Sequence, residues 1–329
     1  MYIEGFMFDI AIIGEVMLEF SPAKGKNYAL GISGDTYNSA CTLVGLGINV
    51  TYITSLGVGK PAELIRHDAA LRQLKLLEPA AIVDKSPGIY MINNDEAGER
   101  FFNYWRDDSA AKALLNNEDL LFPLLTKIKD HDYIYFSGIT LAVMSESCRS
   151  MLKHFIIDYR KQGGNVIFDP NYRPKLWLDL ATATNAINEI GSYVDIYLPG
   201  FEEEEVLFGC TSPVDSIERL TALGINEVVI KNGPENCLLM SNNNVESIAV
   251  TPSTNVVDTT GAGDTFNGGY IGARLIGLTP KNAIDFAVKA ARQILSIKGG
   301  VLEQAQLVQL KSNLDRIINT KNNAKVSLL

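Results

Sequence analysis

Histidine, tryptophan and cysteine are scarce, with three, two and four residues among 329. The cysteines (Cys41, Cys148, Cys210 and Cys237) stand far apart, so no pair has metal-knuckle or redox spacing, and four reduced, packed thiols are expected. His67, His131 and His154 form no ligand spacing either. A basic excess is also missing. Lys plus Arg total 29 against 38 Asp plus Glu, a net charge of −9 with no basic run, which argues against nucleic acid or an anionic membrane as partner. No uncharged apolar stretch approaches the roughly 20 residues a membrane helix needs. The start, MYIEGFMFDIAIIGE, carries Glu4 and Asp9 and no basic n-region. No signal peptide and a cytoplasmic location are therefore expected.

What is present is a globular composition, 47% hydrophobic and 20% charged. Short apolar runs recur, each ending at a turn residue: Ile10–Ile13, Val50–Leu56, Tyr133–Phe136, Val166–Phe168, Ile196–Leu198 and Val228–Ile230. Unbroken runs of this length suit strands buried on both faces. Helical patterns separate several of them, such as Cys148–Gln162 before Gly163-Gly164. The alternation predicts a doubly wound, mostly parallel α/β sheet with ligands beyond the carboxyl ends of its strands. Two stretches, about 15–35 and 88–106, mix aromatics with polar residues without helical periodicity. They are expected to form short antiparallel strands of a small lid. The tail Lys321–Leu329 reads as frayed.

The strongest local signal is Asp258-Thr259-Thr260-Gly261-Ala262-Gly263-Asp264. Phe266, Tyr270, Ala273 and Ile276 follow at helical spacing, with Gly277 as a stop, so the glycines lie where a loop feeds a helix N-terminus. Backbone N–H groups there can converge on an anion, helped by the helix dipole. A carboxylate at Asp264 would repel phosphate, yet it is placed to accept a proton from a hydroxyl attacking that phosphate. The plain alternative is a glycine-rich turn with Asp264 as helix cap.

Arg106 and Arg173 present planar forks that fit a carboxylate bidentately; the alternative is ordinary surface ion pairing. Tyr104 lies two residues before Arg106, on the same face of a strand. Glu202–Glu205 reads mostly as a solvated first helical turn. Gly57-Val58-Gly59-Lys60-Pro61 imitates a dinucleotide fingerprint, with Glu78 beyond it, but no second strand places Glu78, and Pro61 removes the hydroxyl a P-loop needs.

Asp258–Asp264 resembles the C-terminal signature of the ribokinase-like (PfkB) carbohydrate kinases. Ser33-Gly34-Asp35-Thr36-Tyr37-Asn38 resembles a second element near the N-terminus. Gly98-Glu99-Arg100-Phe101-Phe102-Asn103-Tyr104-Trp105-Arg106, Ser137-Gly138-Ile139 and Val166–Pro174 are most similar to the branch acting on 2-dehydro-3-deoxygluconate. The resemblance runs from about Asp9 to Gly300. It implies one kinase domain over 1–329, with the lid inserted, and phosphoryl transfer from ATP with Mg²⁺ to the C6 hydroxyl of that sugar acid. Asp264 would be the catalytic base, with the N–H groups of Gly261, Ala262 and Gly263 as anion hole. Gly34, Asn38, Tyr90, Tyr104, Arg106 and Arg173 would contact the sugar acid. Lys231, Gly233 and Thr259 would lie along the nucleotide, and Glu204 would organise Mg²⁺ through water. A monovalent cation beside the Asp258 loop and a homo-oligomer paired through lid strands are further expectations. Phe201, Ser33 and Gly59 depart from the family pattern at positions where Asn, Gly and Asp are usual. A kinase of a neutral sugar, fructose or ribose, and a non-catalytic sugar-acid-binding protein are the alternatives.

Overall fold

A computed structural model of the chain describes residues 8–80, 82–94 and 100–326. Nine strands form one sheet: β1 (Asp9–Ile13), β4 (Asn49–Ile53), β5 (Lys75–Leu77), β8 (Tyr133–Ser137), β9 (Asn165–Asp169), β10 (Ile196–Tyr197), β11 (Glu227–Ile230), β12 (Cys237–Ser241) and β13 (Asn244–Ile248). Their order is β13-β12-β11-β10-β9-β8-β1-β4-β5, and every pairing from β11 to β5 is parallel. Only the β11-β12-β13 edge is antiparallel. The turn between β12 and β13 puts Asn242 and Asn243 at positive φ, 51° and 63°, the backbone a tight hairpin demands.

The expected strands are all present, shifted at their ends by a few residues. Val50–Leu56 is the largest trim, because β4 stops at Ile53 and the chain then turns towards the lid. Both faces are buried. In β1, Ile10 and Ile12 join one apolar core while Ala11 and Ile13 join the other, as period-two alternation requires. The expected helix at Cys148–Gln162 spans Glu146–Lys161 and is capped by Ser145. The expected fraying of Lys321–Leu329 does not extend to Lys321–Val326, which continues the helix Gln304–Val326; the last three residues lie outside the described residues.

A second sheet of four strands, β3-β2-β6-β7, covers one end of the crevice: β2 (Met17–Pro22), β3 (Tyr28–Ser33), β6 (Gly88–Asn94) and β7 (Arg100–Trp105). The β2–β6 pairing is parallel, which differs from the all-antiparallel lid expected from the sequence. The two hairpins sit side by side, and the chain adds β4 and β5 to the main sheet between them. Register aligns Gly31, Glu19, Tyr90 and Tyr104 in one row across the lid. Gly98 and Glu99 of the lid motif lie outside the described residues.

Candidate active site

The helix Ala262–Leu275 begins at Gly261, whose left-handed backbone (φ 71°, ψ 7°) turns the loop sharply into the first helical turn. A Cβ at Gly261 would stand 2.4 Å from the carbonyl oxygen of Gly300, so the glycine is required by the protein's own backbone. Gly263 is different. Its backbone is ordinary, and the nearest atom to an added Cβ is Lys231 Nζ at 4.0 Å. No protein atom demands glycine there. The open space suits a ligand approaching the N-terminal turn.

Asp264, part-buried, faces this crevice. Asn38 Nδ2 donates to its Oδ2 at 2.8 Å across 226 residues of sequence, and Ser39 Oγ donates to its backbone carbonyl at 2.9 Å. Asn38 is itself oriented by Ser33 Oγ (3.1 Å) and Gly34 N (3.3 Å), both donating to its Oδ1. Burial pushes the Asp264 carboxyl up to about 7, with the charge of Asp35 adding to the rise and the Asn38 bond opposing it. A carboxylate tuned near neutrality, in a crevice beside a helix N-terminus, suits a general base.

Three carboxyls that the sequence did not single out share the crevice. Asp35 is raised by burial and accepts from Ser137 Oγ and from Asn171 Nδ2 (3.1 Å). Asp169, at the end of β9, accepts from Lys231 Nζ (3.1 Å), Asn267 Nδ2 (2.6 Å) and Asn171 N (3.1 Å). Asn171 takes φ of 31°, uncommon outside glycine, and these bonds to Asp169 and Asp35 hold it there. Glu203 is pushed up to about 7 by burial and by Asp169.

The expected role of Glu204 is corrected. Its side chain is fully buried and both oxygens are taken by Arg219 at 2.6–3.0 Å, on the side of the helix Phe201–Phe208 away from the crevice. Glu203, one residue earlier, is the carboxylate that faces Asp169, Lys231 and Arg173. It also accepts from Gly200 N (2.9 Å) and Tyr172 N (3.1 Å), fixing the loop that carries Arg173.

Two expected sugar contacts are already committed. Arg106 is 8% exposed and ion-paired with buried Glu15, and burial draws its guanidinium down to about 10. The Tyr90 hydroxyl donates to Glu19 inside the lid. Arg173, by contrast, is 54% exposed, with its charge acting on Asp35, Asp264 and Tyr104. Tyr104 lies open beside it, 43% exposed. The structure thus gathers Gly34, Asn38, Asp264, Tyr104, Arg173, Lys231 and the Gly261–Gly263 turn at one crevice. Gly233 and Thr259 are exposed on loops at its rim.

Residues 7–305 match the model of the pfkB family carbohydrate kinases. The chain is 34% identical to a 2-dehydro-3-deoxygluconokinase of Dickeya dadantii over 302 residues, covering 89% of this chain and 96% of that one. It is 32% identical to its Escherichia coli K12 counterpart, with the same coverage. Among solved structures, a putative ribokinase II of E. coli in complex with ATP and Mg²⁺ superposes with a TM-score of 0.79 at 21% identity, over 93% of this chain and 99% of that one. A 2-dehydro-3-deoxygluconokinase of Thermotoga maritima gives 0.75 at 21% identity, over 93% and 98%. These two structures share the fold.

The two glycines should separate on substitution. Gly263→Ala should fold as well as the wild type, since alanine favours a helical position by about 0.5–1 kcal/mol, yet lose most turnover because its methyl enters the ligand space. Gly261→Ala should instead lower the melting temperature, because positive φ and the Gly300 carbonyl both oppose it. Thermal melts alongside turnover decide this, and full activity in Gly263→Ala would return that glycine to an ordinary turn role.

Proposed function

Since the chain belongs to the pfkB family of carbohydrate kinases, we propose that it transfers the γ-phosphoryl group of ATP to the C6 hydroxyl of 2-dehydro-3-deoxy-D-gluconate, giving 2-dehydro-3-deoxy-6-phosphogluconate. The observation that carries the chemistry is Asp264, a carboxyl held near neutrality at the first turn of a helix whose N-terminus meets open space at Gly263. The C6 oxygen attacks the γ-phosphorus, the bond from that phosphorus to the β–γ bridging oxygen breaks, ADP leaves, and the hydroxyl proton passes to Asp264. The Gly261, Ala262 and Gly263 N–H groups and the Lys231 ammonium meet the charge on the transferring oxygens. Gly233 and Thr259, at the rim, suit the rest of the nucleotide.

Among the described residues no group of three acidic, histidine or cysteine side chains is set to cage a metal. Glu203 and Asp169 are the hard carboxylates that would hold a magnesium ion through its waters. When bound, magnesium supplies charge neutralisation on the phosphate oxygens. A monovalent cation beside Asp258 belongs to the same reading. Exchanging potassium for choline in the turnover assay tests it, and equal rates would remove it.

The acid substrate is supported by the 30–34% identical relatives and by Arg173, the arginine left open to a ligand. Arg173 reaches Glu203 at 3.8 Å and donates to the Tyr172 carbonyl at 3.1 Å, both through one nitrogen, so the rest of its exposed fork can meet a substrate carboxylate. Tyr104, Asn38 and Gly34 complete the proposed sugar site, with Tyr90 and Arg106 shaping the lid that covers it. No helix among the described residues is long and apolar enough to cross a membrane. The open lid edges β3 and β7 expose Tyr28, Leu30, Phe101, Phe102, Tyr104 and Trp105, which supports pairing of two copies through the lid. Sedimentation should give a dimer that Trp105→Glu weakens; a monomer at micromolar concentration would remove this assembly.

For kcat/KM, the base must be deprotonated, so activity should rise with pH through about 7 and level off above it. At pH 6 it should stand near a tenth of its plateau. Asp264→Asn should abolish this limb and lower kcat by about two to four decades with the fold retained. Near-normal turnover by the folded variant would take the base role from Asp264.

Arg173→Ala should depress kcat/KM on the sugar acid by roughly ten- to a hundredfold, the worth of a charge-assisted hydrogen bond, and barely change any side activity on a neutral sugar. Lysine should rescue it only partly, since it lacks the planar fork. Arg106→Ala is a poorer probe because it strands buried Glu15. Equal losses on both sugars in Arg173→Ala would move that residue to structure or nucleotide, and preferred turnover of a neutral hexose by the wild type would overturn the sugar-acid reading.

A further inference from the structure

The helix Ala262–Leu275 carries a second polar side chain one turn below Asp264. Asn267, at i+3, lies on the same helical face and is fully buried. Its Nδ2 donates to Asp169 Oδ2 at 2.6 Å and to the Tyr135 hydroxyl at 3.3 Å, and its Oδ1 accepts from Lys231 Nζ at 3.2 Å. Lys231 Nζ also donates to the same Asp169 Oδ2, at 3.1 Å. Oxygen facing the ammonium and nitrogen facing the carboxylate is the only orientation of this amide that satisfies all three partners.

The geometry bears on what Lys231 does. Its Nζ lies 4.0 Å from the point a Gly263 Cβ would occupy, which sets the ammonium beside the anion cradle. Lysine is a flexible point charge, and an isolated Asp169 would draw it into a closed pair that is neutral towards a ligand. Asn267 opposes this in two ways. Its shorter bond to Asp169 Oδ2 occupies part of that oxygen's accepting capacity, and its own carbonyl gives the ammonium a second anchor on the helix. Two ammonium protons are thereby directed into the protein, and the third is left for a phosphoryl oxygen. Asp169 is further held by Asn171 N on its other oxygen, so the frame does not swing with the lysine.

We propose that Asn267 is a positioning residue for phosphoryl transfer. Together with Asp169 it holds Lys231 Nζ by two bonds, leaving its third proton directed towards the first turn of the helix that carries Asp264. One helical turn then sets the proton acceptor and the phosphoryl-facing cation in fixed relation. The proposal rests on phosphoryl transfer at this site, and not on which sugar accepts the group.

A double-mutant cycle tests it, read on whichever sugar the wild type phosphorylates fastest. Inactivity on 2-dehydro-3-deoxygluconate alone would therefore fall on the substrate reading and leave the cycle readable. Lys231→Met should lower kcat on the order of a hundredfold. Asn267→Ala should lower it on the order of tenfold to a hundredfold, with the KM for the sugar within about twofold, because a misplaced cation is felt in the transition state. In the Lys231→Met background, adding Asn267→Ala should cost almost nothing further. Asn267→Ser, which keeps a hydroxyl in a smaller volume, should fall between Asn267→Ala and the wild type. A loss of kcat from Asn267→Ala that is as large without Lys231 as with it would overturn the proposal, as would unchanged kcat in the single variant. Failure of both Asn267 variants to fold, judged by melting curves, would assign the residue to structure and equally overturn it.

Discussion

Four carboxyl groups, Asp35, Asp169, Glu203 and Asp264, face one crevice at the carboxyl end of the parallel strands, and the surrounding structure is organised around the cost of keeping them there. Burial raises the proton affinity of Asp35, Glu203 and Asp264, the charge of Asp169 raises all three further, and that of Asp35 adds to the rise in Asp264. Such a group survives folding only if donors and cations compensate it. Ser137 and Asn171 serve Asp35, Asn38 serves Asp264, Lys231 and Asn267 serve Asp169, and the Gly200 and Tyr172 amides serve Glu203. Compensation is uneven. Asp169 has the most partners, whereas Asp264 has one side-chain donor and the charge of Asp35 against it, which leaves Asp264 poised near neutrality.

The lid obeys the same constraint on its inner row. Glu19 is buried in it and Glu15 just before β2, and the polar groups they hold, Tyr90 and Arg106, are two of the six residues that the family resemblance assigned to the sugar acid. A buried carboxylate that lost its partner would be left uncompensated, so these pairs fix the lid's shape before any ligand arrives. What remains open on that row is Tyr104, directed towards Arg173. The crevice is therefore asymmetric: carboxylates line the sheet side, and one half-exposed guanidinium, paired at 3.8 Å with Glu203, stands near the lid.

Much of the sheet was legible because both of its faces are covered, so its strands read as unbroken apolar runs. The β12–β13 hairpin escaped notice because its outer strand, Asn244–Ile248, is mostly exposed and carries no such run. The base and its glycine turn were legible as a local motif. The other three crevice carboxyls were not, since they matter through partners more than 25 residues away in the chain, such as Asn171 for Asp35 and Lys231 for Asp169. The Glu202–Glu205 run shows the limit most clearly. Four identical residues give no phase, and only the helix start at Gly200, with Arg219 waiting on the opposite side, decides that Glu203 faces the crevice and Glu204 the core.

Gly261 and Gly263 carry the same lesson to the level of single atoms. In sequence they are equivalent small residues flanking an alanine. In space one is fixed by the protein, because its backbone is left-handed and the Gly300 carbonyl stands where a side chain would begin. The other meets no protein atom closer than the Lys231 ammonium. Space left unfilled at a helix N-terminus costs packing and helix propensity without any gain to the fold. It has a physical rationale only if something else occupies it during the protein's work, and an ammonium aimed at that space from below makes the occupant an anion. The cradle, the lysine and the base are thus three consequences of a single arrangement, the N-terminal turn of one helix set against the ends of β9 and β11.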